Sequence, residues 1–89
     1  MPQIVCTNRL EGIGPCSPEA FEGDDLGSVL ASASNKYPRL SSYLIDDQGN
    51  IRKHVAIFIN GQMQDRHTVL QKHLNQEDEI HLLQALSGG

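Results

Sequence analysis

Residues 24–38 read DDLGSVLASASNKYP and carry the clearest periodic pattern in the chain. Apolar side chains recur there at the spacing of one helix face, at Leu26, Val29, Leu30, Ala33 and Tyr37. Asp24 and Asp25 stand at the start, where a carboxylate caps a helix and complements its dipole. Pro38 ends the pattern, and Gly27 lowers the helix propensity by about 1 kcal/mol. The stretch therefore predicts one amphipathic helix that buries a single stripe.

Strand patterns lie on both sides of this helix. Before it, PQIVCTNRL alternates and is rich in β-forming residues, which predicts a strand at residues 2–9. The turn EGIGPCSP follows, and PEAFEG then predicts a short second strand that completes a hairpin with the first. After the helix, HVAIFING is the strongest strand pattern and ends in the turn pair Asn60-Gly61. EIHLLQAL is the last predicted strand, with Ile80 and Leu82 on one face.

The connecting segments predict local turns. Residues 40–44 favour a helical turn, and DDQGN at residues 46–50 has turn chemistry. QMQDR continues after Gly61 as a short return strand or a loop, and HTVLQKHLNQEDE has enough apolar residues for a turn or two of helix.

The order of elements is β-β-α-β-(β)-β, which predicts an α+β fold. A hairpin, a crossing helix and returning strands form one mixed sheet of four to five strands, with the main helix packed on one face. This is the layout of a β-grasp domain, here residues 1–86, followed by an extended C-terminal tail at residues 87–89. The residues expected to be buried are Leu26, Val29, Leu30, Val55, Ile57, Ile59, Ile80 and Leu82.

Composition excludes several function classes. Eighty-nine residues make one domain, and the net charge of −4 disfavours nucleic acid as a partner. The basic stretch Arg52-Lys53-His54 is interpreted as a polar entry to a strand rather than a binding patch. We find neither a signal peptide nor an apolar run long enough to span a membrane. Two cysteines, Cys6 and Cys16, are too few for a disulfide framework, so we expect a cytoplasmic protein with free thiols and no membrane partner.

No motif for catalysis or metal binding stands out. The four histidines (His54, His67, His73 and His81) lack ligand spacing. A calcium loop counted from Asp46 would place Ile57 at its twelfth position, where such a loop needs Glu. The glycines before the helix lack the Lys of a phosphate loop, and Cys6 is interpreted as a small core residue. We therefore expect no catalytic residue, no metal site and no bound cofactor, and we predict that the protein is not an enzyme.

The last residues combine unusual properties. Because glycine has no Cβ, Gly88-Gly89 forms a thread thin enough to enter a narrow slot. Beyond it stands a main-chain carboxylate, unhindered and open to activation by another enzyme. The alternative interpretation is a frayed end without a role.

Three stretches resemble the ubiquitin-like sulfur carriers, a family that includes the small subunit of molybdopterin synthase, the thiamine-pathway carrier and the carrier used for cysteine synthesis. DLGSVLASASNKYPRL resembles the family's helix, HVAIFINGQ its central strand, and QEDEIHLLQALSGG its ending. The resemblance covers roughly residues 26–89. The segment LIDDQGNIRKH is more similar to the cysteine-synthesis type and to related carriers of secondary metabolism, whereas the run of residues 83–87 lacks the Pro and Val frequent in the family.

The resemblance implies a mechanism. An adenylating enzyme similar to the ubiquitin-activating enzymes would activate the carboxylate of Gly89 with ATP and magnesium. Sulfur from a persulfide or sulfide source would then displace AMP and leave a thiocarboxylate, which donates sulfur inside an acceptor biosynthetic enzyme. Gly88 would give clearance, and Ala85, Leu86 and Ser87 would line the slot of the partner.

Three alternatives stay open. The ending also resembles that of ubiquitin, which makes a protein modifier conjugated through Gly89 the first rival. The second is a β-grasp interaction module without tail chemistry, and the third is a small enzyme of unrecognised type.

Overall fold

The computed structural model describes residues 1–7, 10 and 12–84. The strands and α-helices in these ranges are, in chain order, β1 (Gln3–Cys6), β2 (Glu19–Ala20), α1 (Leu26–Lys36), α2 (Arg39–Leu44), β3 (Val55–Ile59), β4 (Gln62–Met63) and β5 (Glu79–Gln84). A 3-10 turn at Val69–Gln71 precedes β5. The predicted order of elements is confirmed, and the helical turn expected at residues 40–44 forms α2.

The five strands form one mixed sheet in the order β2-β1-β5-β3-β4. The hairpin of β1 and β2 is antiparallel, as are the contacts of β3 with β4 and β5, whereas β1 and β5 run parallel. Parallel neighbours cannot be joined by a tight turn, so the chain crosses through α1 between them. The predicted β-grasp architecture, an α+β fold with one main helix on a mixed sheet, is confirmed.

Helix α1 begins and ends as the sequence predicts. The side chain of Asp25 caps it, with Ser28 N donating to Asp25 Oδ1 at 2.7 Å. The last turn closes where Tyr37 N donates to Ala33 O at 2.8 Å, and Pro38 is the N-cap residue of α2. Packing explains the glycine at position 27, because a Cβ there would lie 3.2 Å from Leu70 O. The loss of helix propensity at Gly27 is thus offset by close packing against the 3-10 turn.

Every residue predicted to be buried is buried. The inward side chains of β3 and β5 meet the apolar stripe of α1, and further apolar residues complete the same core, namely Ile4, Cys6, Leu10, Phe21, Leu40, Leu44, Ile51, Val69 and Leu74. A fully buried Leu or Ile side chain contributes roughly 1.5–3 kcal/mol, so this aliphatic core suffices although aromatic residues are sparse.

One predicted element is shorter than expected. The first strand ends at Cys6 rather than at residue 9, which lies outside the described residues, and Leu10, whose N donates to Thr7 O at 3.2 Å, is buried in the core. Of the turn or two of helix predicted within residues 67–79, one 3-10 turn forms. Its continuation is extended because Leu26 N donates to Lys72 O (3.2 Å) and Leu74 N donates to Asp24 O (2.8 Å).

The start of β5 is fixed by a polar network. Asn60 and Gly61 form the predicted β3–β4 turn, both with positive φ, of 51° and 84°. Asn60 Nδ2 donates to Asp78 Oδ1 at 2.8 Å, and Glu79 N donates to Asn60 Oδ1 at 2.9 Å. Asn75 N donates to the second oxygen of Asp78 at 2.9 Å. The hairpin turn therefore holds the first residue of β5 in register.

Gly23 lies where two constraints exclude a larger residue. Its φ is +151°, and a Cβ there would lie 2.6 Å from Val29 N and 2.7 Å from Val29 Cγ2. We predict that Gly23→Ala lowers the free energy of unfolding by about 2–4 kcal/mol, since overpacking and backbone strain add. Urea titration measures this. Gly12→Ala is the matched control, because nothing lies within 4 Å of its Cβ position. Equal effects of the two substitutions would contradict this prediction.

Asp25 makes stability depend on pH. Backbone and side-chain hydrogen bonds from Ser28 hold the pKa of Asp25 below its ordinary value of 3.8. Its ionised form therefore stabilises the fold above that value, and this contribution is lost as pH falls through the lowered pKa. We predict that Asp25→Asn, which keeps a capping oxygen, matches the wild type at neutral pH but loses less stability between about pH 5 and pH 2. Urea titrations across that range check it, and an unchanged acid loss would refute it.

Candidate functional site

The predicted site residues are Ala85, Leu86, Ser87, Gly88 and Gly89, and all five lie outside the described residues. The predicted boundary between domain and tail, at residues 86 and 87, lies there too. Gln84, the last residue of β5, is the last described residue. The site can therefore be described as far as Gln84, two residues before the predicted end of the domain. We call Gln84 the tail root.

The tail root belongs to the central strand of the sheet. β3 pairs with β5 along its length, from Ile59 opposite Ile80 to Val55 opposite Gln84. On the other side, β1 pairs with β5 as far as Leu82, and Thr7 N donates to Leu82 O at 2.9 Å. Backbone hydrogen bonds on two sides hold β5 as far as Leu82, and the pairing with β3 continues to Gln84, so the point where residue 85 follows is fixed relative to the core.

A side-chain contact adds to this anchoring. Gln84 alternates inward with Ile80 and Leu82, toward the end of the sheet that α2 covers. There Tyr43 Oη donates to Gln84 Oε1 at 3.2 Å. The ring of Tyr43 stands edge-on to that of His54, with centroids 5.8 Å apart and planes at 85°. His54 directly precedes β3, so the basic stretch of residues 52–54 lies beside the tail root.

The face of the sheet opposite the helices forms a second feature. The strand register brings Val5, His81, Phe58 and Met63 into one row across β1, β5, β3 and β4. Leu83 and Ala56 are paired beside that row. We call these six residues the outer face. Met63 is 67% exposed and Phe58 and Leu83 are half-buried, which leaves apolar surface accessible next to the tail root.

One polar pair interrupts the outer face. His81 Nε2 donates to Glu79 Oε1 at 2.6 Å, and both side chains are partly exposed. Glu79 and His81 point to the outer side of the sheet, whereas Ile80 and Leu82, which alternate with them along β5, are buried. His81 therefore faces away from the core.

The other candidate groups have structural roles. The carboxylate of Asp46 accepts from Gln48 N (2.9 Å) and Asn50 N (3.0 Å), and these bonds, that of Asn50 first, hold its pKa below the ordinary value. It therefore stabilises the predicted turn. Within residues 1–7, 10 and 12–84, no group of three or more His, Cys, Asp or Glu side chains is arranged to hold a metal ion.

Surface clefts and helices add little to the candidate site. One cleft lies between Pro2, Gly23 and Gln76, and another between Asn60, His73 and Asp78. Both lie at the end of the sheet where β5 begins, away from the tail root. In the described part of the chain, no helix has the length and apolarity needed to cross a membrane.

The cysteines differ in environment. Cys6 is buried on β1, as predicted for a small core residue, and burial raises the pKa of its thiol to about 11. Cys16 is exposed, and both are free thiols. A thiol that stays protonated and buried is a poor nucleophile.

Sequence reasoning missed the residues around the tail root. Tyr43 was placed only in a helical turn, although a signal was available: Leu40 and Leu44 are the buried residues of α2, and Tyr43 lies on the flank between them. The outer face also had a signal, since Phe58 adds an apolar residue at the outward positions of β3. These apolar residues on both faces of a strand indicate either a buried strand or a surface with a partner.

Comparison with known proteins identifies the type of domain. A family model described as the ThiS family matches residues 16–89. No curated protein sequence matches the chain.

Solved structures show the same fold. CysO from Mycobacterium tuberculosis is 21% identical with a TM-score of 0.83, covering 97% of this chain and 100% of that one. A chain of the Amycolatopsis orientalis BexX/CysO complex is 12% identical with a TM-score of 0.84, covering 100% of both chains. SAMP1 from Haloferax volcanii is 22% identical with a TM-score of 0.75, covering 99% and 98%.

The two thiols are expected to react differently. We predict that iodoacetamide at about pH 8 modifies Cys16 in the folded protein and modifies Cys6 only after unfolding, because the Cys6 thiol is buried and its pKa is raised. Intact mass before and after addition of denaturant counts the modified groups, and Cys16→Ser should remove the fast reaction. Rapid modification of Cys6 in the native state would contradict the described core.

Proposed function

Because the chain belongs to the ThiS family, we propose that it carries sulfur on its C-terminal glycine, as a thiocarboxylate of Gly89. The protein then acts as a cosubstrate that partner enzymes load and unload, rather than as an enzyme. The observation that carries this proposal is the position of β5. It is the central strand of the sheet and leads from Gln84 directly into the sequence ALSGG.

The proposed loading has two steps. The carboxylate of Gly89 attacks the α-phosphate of ATP, which forms an acyl adenylate and releases pyrophosphate. Hydrosulfide then attacks the acyl carbon, so that a C–S bond forms, the C–O bond to AMP breaks and AMP leaves. Where the donor is a persulfide, the acyl disulfide formed first is cleaved by a second thiol, which is oxidised to a disulfide. ATP and magnesium are held by the adenylating partner.

The tail chemistry suits this role. Gly88 and Gly89 have no side chains, so a partner can enclose the reacting carbon in a narrow channel. Ala85, Leu86 and Ser87 are small or flexible enough to line the entrance of that channel and to set its register. The pairing of β5 with β1 as far as Leu82 and with β3 as far as Gln84 supports the proposal. Because its root is fixed, the tip of the tail samples fewer positions before it reaches an active site.

The outer face supports a docking role for partners. We propose that the adenylating enzyme contacts Phe58, Met63 and Leu83 while the tail enters its active site, because Leu83 connects this surface with the tail root. The acceptor is a biosynthetic enzyme for cysteine, molybdopterin, thiamine or a sulfur-containing secondary metabolite, with the cysteine type favoured by the segment LIDDQGNIRKH. A structural neighbour that stands in a BexX/CysO complex supports assembly with a partner.

A second candidate function is protein modification. Two structural neighbours are small archaeal modifier proteins of 22% and 24% identity. In that case the activated carboxyl of Gly89 would be transferred to a lysine amine of another protein and form an isopeptide bond. The two functions share adenylation and differ in the nucleophile that receives the acyl group.

Intact mass distinguishes these candidates. We predict that the protein, isolated from cells with its own adenylating partner or incubated with that partner, ATP and sulfide, gains the mass of one sulfur and loses that of one oxygen. The wild-type spectrum also establishes that the mature chain ends at Gly89. Deletion of Gly88 and Gly89 should abolish the change. Adducts on lysines of other proteins without a thiocarboxylate would overturn the sulfur-carrier proposal in favour of the modifier.

A matched control excludes sulfur on the exposed thiol. A persulfide on Cys16 would add a whole sulfur without loss of oxygen, and Cys16→Ser should leave the predicted exchange intact. If the tail deletion still binds and supports its partner's activity, the chain is an interaction module instead.

A further inference from the structure

We infer that Tyr43 is a positioning residue that fixes the direction in which the chain leaves the sheet at Gln84. The inference rests on the proposed function, because it concerns the same tail, and it assigns part of that function to α2. Tyr43 lies neither on β5 nor in the tail, and it acts through Gln84.

The last two residues of β5 are held by β3. Among the described residues, the register with β1 runs as far as Leu82, whereas the register with β3 continues to Gln84. The Tyr43 hydroxyl contacts Gln84 from the helix side of the sheet, at 3.2 Å from Oε1.

Tyr43 is itself well held. Leu40 and Leu44, on either side of it in α2, are fully buried in the core. Arg52 N donates to Leu44 O at 2.8 Å, which ties the end of α2 to the segment before β3. The edge-on contact with His54 holds the ring itself. The hydroxyl is therefore a fixed donor toward which the Gln84 side chain must turn.

Fixing Gln84 restricts the residue that follows. The backbone of Gln84 is already paired with Val55, so a hydrogen bond at Oε1 adds a second restraint. Together the two restraints narrow the conformations available at the tail root. A partner that takes up the tail then orders fewer degrees of freedom on binding. Loss of this restraint should weaken productive binding, while the chemistry at Gly89 is unchanged once the tail is seated.

The experiment compares Tyr43→Phe, which removes only the hydroxyl, with Tyr37→Phe. The chain has two tyrosines, and the second is a matched control: Tyr37 Oη donates to Glu19 Oε1 at 2.7 Å, which ties α1 to β2 at the edge of the sheet. Each variant loses one hydroxyl and one hydrogen bond, and urea titration confirms that each is folded.

The kinetic readout is pyrophosphate release by the adenylating enzyme that loads the wild-type chain. Tyr43→Phe should raise the KM for the carrier roughly two- to tenfold and leave kcat within about twofold. Tyr37→Phe should leave both unchanged. Gln84→Met, which removes the acceptor oxygen, should have the same effect as Tyr43→Phe, and the double variant should add nothing further.

A second readout needs no partner. Amide hydrogen exchange by NMR should be faster at Leu83 and Gln84 in Tyr43→Phe than in the wild type and in Tyr37→Phe. The reason is that Tyr43→Phe removes the hydrogen bond that holds the end of β5. Equal exchange in the two tyrosine variants would overturn the inference, whatever enzyme loads the chain.

The outcomes separate this inference from the proposed function. A loaded wild-type chain with an unchanged KM for Tyr43→Phe would overturn the role of Tyr43 alone. A wild-type chain that is never loaded would overturn the proposed function and the kinetic role of Tyr43 with it, and the exchange rates would still decide whether the hydroxyl anchors Gln84.

Discussion

The parallel pairing of β1 with β5 is the constraint on which the rest of the structure depends. Two parallel neighbours need a long crossover, and the chain places α1 and α2 in it, on one face of the sheet. Of the three remaining strands, β3 pairs with the other side of β5, and β2 and β4 are two-residue edge strands. The pairing also puts the last described strand in the middle of the sheet, where both its edges are occupied. The chain thus reaches residue 85 from the central strand of the sheet, which lies between β1 and β3.

This arrangement gives the two faces of the sheet different surroundings. The inward side chains of β5 and β3 meet α1 and α2, and they form the core with the inward residues of β1. The outward side chains of the same strands form the outer face, where Phe58, Leu83 and Met63 expose apolar area beside the tail root. At the opposite end of β5, the side chains of Asn60 and Asp78 fix the register, and all four of their polar atoms are hydrogen-bonded. The strand that leads to the tail root is therefore held at both of its ends.

Local patterns predicted the fold well because they follow from single elements. The stripe of α1, the cap at Asp25 and the Asn60-Gly61 turn each depend on a few neighbouring residues. The end of β1 could not be predicted, since the alternation continues past Cys6 in the sequence, whereas the burial of Leu10 depends on the rest of the core. Of the turn or two of helix predicted near Val69, a single 3-10 turn forms, because the backbone of residues 72 and 74 bonds to the start of α1. Tyr43 and Gln84 are 41 residues apart, and only the crossover brings them together. The roles of Ala85–Gly89 stay predictions from the sequence.

The alternation along β5 has a consequence for how such chains diverge. Ile80 and Leu82 pack in the core with the helices of their own molecule, whereas the alternate residues His81 and Leu83 face away from that core. Substitutions at His81 and Leu83 are therefore less constrained by folding than substitutions at Ile80 and Leu82. The solved structures share the fold of this chain, with TM-scores of 0.75 to 0.84, at only 12% to 22% identity to it. One face of β5 can therefore change in sequence among related domains, while the other face preserves the fold.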